Sequence, residues 1–289
     1  MAFHTGDVIG DACPASPAAR HVPVHSSNRI DDRVEFPDRQ SLAMRLGLAT
    51  LGVGGGAMMG VMAPEISGPS GATLGLAGLA FIGGLLSTWS PCGYSSLSLL
   101  RPQGAYSARS TLAWLPTLAM HALGYAAGGL ILGGLLGALA LVVPTSGTVG
   151  LVLLGLMALG YGMHQLGLFR MPYPQRRAQV PHDARARFRL PVVSLLYGFS
   201  LGLNFLTYVR TPILYIVVAG ALLGGSVTNA LILFGALNLG RFLPLVVNAF
   251  PVQDWTVQRW LASTETRAVA FDGLILTITG AAFMALIAM

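Results

Sequence analysis

The sequence contains no lysine, so all 17 of its basic residues are arginine. Charged residues of both signs make up only 10% of the 289 positions. An ordinary soluble domain carries about a quarter, so a water-soluble globular enzyme is excluded. Two cysteines, Cys13 and Cys92, are too few for a disulfide scaffold. No nucleotide-binding loop, Ser–His–Asp order, HExxH motif or paired-carboxylate catalytic arrangement appears, which removes the common hydrolytic and phosphoryl-transfer chemistries. No metal-ligand spacing stands out either. His121 and His164 lie alone in apolar blocks, and His21 and His25 are separated by Pro23, which prevents convergent helical geometry. No metal or cofactor is therefore expected.

What the chain has instead is apolar length. Hydrophobic residues make up 54%, with a mean hydropathy of +0.67. They fall into seven blocks: 46–63, 73–100, 115–143, 149–169, 192–222, 227–249 and 268–288. Each is long enough to cross about 30 Å of hydrocarbon as a helix. A lipid-embedded backbone must satisfy its own hydrogen bonds, and alternating β-barrel patterning is absent. The expected fold is therefore an all-α polytopic membrane protein with seven transmembrane helices. The 37 glycines fit close helix packing within it. No cleavable signal peptide is visible, so the block from Leu46 reads as a signal-anchor.

Arginine placement gives the orientation. Fifteen of the 17 lie before the first block, after the second, after the fourth and after the sixth; the intervening loops and the C-terminus have none. That strict alternation places the N-terminus in the cytoplasm and the C-terminus in the periplasm of a bacterial inner membrane. The same distribution argues for lipid headgroups rather than nucleic acid as the partner of the basic residues.

The other two arginines, Arg210 and Arg241, fall inside apolar blocks, where an arginine costs at least about 2.5 kcal/mol and needs a reason. Arg210 precedes Thr211–Pro212 at midplane depth, and these three residues form a candidate substrate site. Arg241 is expected to form a structural ion pair with Asp272, joining two helices. Asn204 and Asn238 are expected to bond between helices.

The blocks also echo one another. The second reaches Ser90–Pro91–Cys92 and the fifth Thr211–Pro212–Ile213, a hydroxyl–proline step that kinks or breaks a helix in each case. Ala122–Leu123–Gly124–Tyr125 in the third block is echoed by Ala236–Leu237–Asn238–Leu239 in the sixth. Three spans separate the copies, so they run in opposite directions. This makes a 3+3 inverted repeat, 73–169 and 192–288, joined by a basic cytoplasmic loop 170–191. An extra helix, 46–63, and a tail, 1–45, expected to be disordered, precede it.

Ser90–Pro91–Cys92, Thr211–Pro212 and the run Leu239–Gly240–Arg241–Phe242–Leu243–Pro244 resemble the CcdA/DsbD membrane domain. That group has a six-helix inverted repeat and passes reducing equivalents across the bacterial inner membrane. The extra N-terminal helix and the stretch from Ser87 through Cys92 to Pro102 look most like the methylamine-utilisation family MauF. This resemblance implies a role in assembling periplasmic methylamine dehydrogenase, whose small subunit is rich in disulfides and carries a modified tryptophan. Other methylamine-utilisation maturation proteins, or a thioredoxin-like protein, would be the partners. Within the resemblance Cys92 is the redox thiol, flanked by Pro91 and Ser90. The electron-relay group has a second cysteine where this chain has Ile213, so a disulfide between the repeats cannot form within one chain. The alternative reading is a transporter that moves a small solute or anion through the midplane site between the repeats.

Overall fold

A computed structural model describes residues 40–62, 69–102, 106–143, 147–172 and 188–288. Most of the N-terminal tail, with Cys13, His21 and His25, and most of the basic loop lie outside these residues.

The described residues form helices and connecting segments, with no strand among them. The helices are α1 (Leu42–Met62), α2 (Pro69–Leu86), α3 (Pro91–Leu99), α4 (Ala108–Ala140), α5 (Gly147–Gln165), α6 (Leu190–Gly202), α7 (Ile213–Leu223), α8 (Val227–Phe242) and α9 (Asp254–Ala288). Short 3-10 turns, Ser87–Trp89 and Leu243–Ala249, follow α2 and α8. Among the described residues six helical stretches are long and apolar enough to cross a membrane, and α6 and α7 are shorter apolar helices. Leu51, Met58, Leu130, Leu135 and Leu156 point outward from these helices, as a lipid solvent allows.

Local chemistry sets the ends. Ser107 and Ser110 form a reciprocal capping box at the start of α4, with bonds of 3.1 and 3.0 Å. Ser226 caps α8 after Gly225, whose φ of +58° lets the chain turn tightly from α7. α9 begins well before its apolar block. The segment from Asp254 to Arg267 is polar enough to read as a loop, yet it continues the helix outward. It buries Leu261 and stacks the Arg259 guanidinium 4.7 Å from the Trp255 ring centre.

Glycines on both sides make helix crossings, most closely at two of them. α2 packs on α8, where a Cβ on Gly84 would lie 2.2 Å from the Leu237 carbonyl and one on Gly240 2.1 Å from that of Phe81. α4 packs on α6 in the same way. A Cβ on Gly124 would meet the Leu195 carbonyl at 2.3 Å, and one on Gly198 that of His121 at 2.2 Å. Only glycine lets the backbones approach this closely. The core between these pairs is filled by α7 and the inner faces of α2, α5, α8 and α9, with Ile213, Ile216, Val217, Phe234 and Leu276 fully enclosed. α5 packs on α9, and α1 lies mainly against α9.

Among the described residues, Arg45, Arg101 and Arg259 lie at one end. Arg45 donates to the Gly167 carbonyl at 3.4 Å, and Arg101 pairs with Asp254 at 3.6 Å and with the Asn248 side chain. All four tryptophans of the chain belong to the same end: Trp89 lies 5.3 Å from Trp260, Trp114 donates to the Leu100 carbonyl, and Trp255 sits beneath Arg259.

Candidate functional site

Two helix interruptions face the middle of the molecule. The first separates α2 from α3. Ser90 takes an extended conformation and accepts a bond from Gly93 N at 3.4 Å, capping α3, while Pro91 occupies its first position, where no N–H is required. Gly93 keeps the interruption tight, since a Cβ there would lie 2.6 Å from the Ser87 carbonyl. These residues place Cys92 in the first turn of α3, 2% exposed. It packs with Tyr125 of α4 and Leu201 of α6, and with Tyr208 and Phe242 beside them. His121 stands edge-on to Tyr125 with ring centres 5.0 Å apart. Its Nδ1 is 2.8 Å from the Ser194 carbonyl, so this histidine joins α4 to α6.

The second interruption, 203–212, separates α6 from α7. Asn204 turns the chain with a φ of +56° and donates to the Gly202 carbonyl at 2.8 Å and to Asn238 Oδ1 at 3.0 Å. Asn238 donates to the carbonyls of Tyr125 and Gly202. Arg241, 6% exposed, closes the group: its Nη1 donates to the Leu201 carbonyl at 2.9 Å and to Asn204 Oδ1 at 2.6 Å. Three polar side chains thus satisfy the carbonyl end of a helix that stops inside the protein.

At the far end of the same interruption, Thr211 Oγ1 donates to Asp272 Oδ1 at 2.9 Å and accepts from Ile213 N at 3.2 Å. Gln165 donates to the other oxygen of Asp272 at 2.7 Å. Arg210 pairs with Glu265 of α9.

The expected Arg241–Asp272 ion pair is not formed. Each residue serves an opposite end of the 203–212 interruption, Arg241 bonding Asn204 and Asp272 bonding Thr211. Sequence spacing placed both near one membrane face but could not show that a stretch of non-helical backbone would engage both. Cys92 and Ile213 each stand one residue past a proline that opens a half-helix. Ile213 is wedged against α2, where a Cβ on Gly83 would lie 2.5 Å from its Cγ2. Arg241 flanks Cys92, because it binds the Leu201 carbonyl and precedes Phe242, and both residues pack on the thiol. The signal available in the sequence was the co-occurrence of Asn204, Asn238 and Arg241 in otherwise apolar blocks. Among the described residues no three His, Cys, Asp or Glu side chains lie close enough together to hold a metal ion.

No family model and no solved structure matches the chain. Curated relatives match it over most of its length. The methylamine utilization protein MauF of Methylorubrum extorquens is 51% identical over 264 residues, which cover 90% of this chain and 92% of that protein. Its namesake in Paracoccus denitrificans is 50% identical, covering 89% and 93%. That of Paracoccus versutus is 60% identical over 213 residues, covering 73% and 77%. Identity at this level across nine-tenths of both chains is more than a shared pattern of apolar helices can produce, and the chain belongs to the MauF family of methylamine utilization proteins.

Proposed function

We propose that this protein is an inner-membrane accessory factor in methylamine utilisation that helps periplasmic methylamine dehydrogenase to mature, with Cys92 exchanging with a partner disulfide. The observation that carries the thiol step is the setting of Cys92. It sits in the first turn of a half-helix that starts inside the protein, against residues from the other interrupted helix. Helix N-termini favour negative charge, the form in which sulfur attacks.

Exchange through a single thiol balances as follows. The Cys92 thiolate attacks one sulfur of a partner disulfide, and a mixed S–S bond forms as the old bond breaks. The displaced partner thiolate takes up a proton. A second thiolate, on the same partner or on a thioredoxin-like protein, then attacks the partner's sulfur and releases Cys92. No second cysteine is required at Ile213.

The architecture we infer is seven crossings, with α2–α3 and α6–α7 each counted as one interrupted span, and an inverted repeat of α2–α5 and α6–α9 after the extra helix α1. The glycine crossings support it. An exchange of the two halves turns the α2–α8 contact into the α4–α6 contact and leaves the α5–α9 pair in place. It is the arrangement of the CcdA/DsbD group. The arginines and tryptophans at one end support a cytoplasmic N-terminus and a periplasmic C-terminus.

Replacing Cys92 by alanine in a bacterium growing on methylamine tests the thiol step. Unchanged membrane levels of the variant, together with loss of active, correctly oxidised methylamine dehydrogenase, are expected. Normal maturation would remove the thiol from the mechanism.

A further inference from the structure

Arg241 carries a charge that its neighbours do not neutralise. Its Nη1 is used by the Leu201 carbonyl and Asn204, but its Nη2 is buried without a hydrogen-bond partner. Three carboxylates occur among the described residues, and all are engaged elsewhere: Asp254 with Arg101, Glu265 with Arg210, and Asp272 with Thr211 and Gln165. The carbonyl end of α6 offsets about half a charge. A water molecule would fill the hydrogen-bonding capacity of Nη2 and leave the remaining charge in place. An anion would supply both.

Two further buried hydroxyls without a partner lie on the two interrupted segments that Arg241 packs against. The Thr88 hydroxyl, in the first interruption, is buried without a partner. Thr88 lies one turn beyond Gly84, where a Cβ would come within 2.8 Å of Arg241 N, and its Cα would be 2.9 Å from a Cβ on Gly93. The Thr207 hydroxyl, in the second interruption, is likewise buried without a partner, three residues beyond the Asn204 that Arg241 binds. The amino end of α3, a helix of nine residues, begins three residues after Thr88. Guanidinium, hydroxyl and helix N-terminus are each donors from which an anion accepts.

We propose that Arg241, Thr88 and Thr207 form a buried site for a small monovalent oxyanion, a carboxylate of formate or acetate size, where the two interrupted helices meet beside Cys92. A single charge matches the one uncompensated guanidinium, whereas a divalent anion would invert the imbalance. Close packing around Cys92, Leu201 and Tyr125 sets the size. The proposal does not depend on thiol exchange at Cys92.

The test is thermal denaturation of the full chain in detergent, titrated with sodium formate or acetate at constant ionic strength. A saturable rise in Tm is expected with both, and none with sulfate or neutral acetamide. The rise should vanish in Arg241→Gln and persist in Arg259→Gln, whose guanidinium lies on the Trp255 ring. Thr88→Val removes a buried hydroxyl that has no partner, so the empty variant should be at least as stable as wild type. Its apparent affinity should nevertheless fall about tenfold, the equivalent of one lost hydrogen bond to an ion. If Arg241→Gln does not fold, Thr88→Val and Arg241→Lys decide, and wild-type affinity in both overturns the site. No shift with either monoanion, or an equal shift in Arg241→Gln, overturns it as well.

Discussion

Asp272 shows how one buried carboxylate holds three segments at once. It accepts from Thr211 on the second interruption and from Gln165 at the end of α5, while its own backbone belongs to α9. Thr211→Val leaves Oδ1 without its donor and should destabilise the protein by about 1–3 kcal/mol. Asp272→Leu should cost more than Asp272→Asn, because leucine strands both donors. Both comparisons are read from the midpoint of thermal denaturation in detergent, and equal midpoints for Asn and Leu would show that the two bonds contribute nothing. Residue-scale detail was only partly legible in the sequence. The hydroxyl–proline step at Ser90–Pro91 marked a place where a helix kinks or breaks, and the helix is interrupted there. The partner of Arg241 was not legible. An arginine in an apolar run states that a partner exists, but which oxygen it meets depends on where another helix stops.

At the scale of helices, hydropathy located the apolar blocks because the lipid requirement acts on whole segments. It could not see the ten-residue interruption at 203–212, since Phe205, Leu206, Tyr208 and Val209 are as apolar as any helix. It also missed the outer part of α9, whose Asp254, Arg259, Glu265 and Arg267 read as loop although the backbone is helical. With 35 residues at 1.5 Å each, α9 is about 52 Å long, well beyond the hydrocarbon thickness. Glycine contacts make the sharpest element-scale prediction. Gly240→Ala or Gly198→Ala forces a methyl group into a carbonyl oxygen of the facing helix, and each should lower stability by about 1–3 kcal/mol. Gly235→Ala, with open space around its Cβ position, should be neutral or slightly stabilising. Circular dichroism melts of the three variants separate the two outcomes; a Gly235→Ala loss as large as the others would refute the distinction.

For the molecule as a whole, the inferred orientation predicts that alkaline phosphatase fused after residue 288 is active and that a fluorescent protein fused there is dark. The opposite pair of signals would invert the topology. The packing of α1 bears on how the protein is made. Its Gly52, Gly56 and Gly60 lie against Thr277, Ile278, Ala281 and Ala282 of α9, at distances that leave no room for larger residues. That partner is translated about 220 residues later. At roughly 5–20 residues per second, the ribosome needs on the order of 10–45 s to supply it. Throughout that interval the glycine face of α1 must be held by lipid or by the insertion machinery. A nascent chain arrested before α9 would leave that face unclaimed, so the state of α1 reports whether synthesis reached α9.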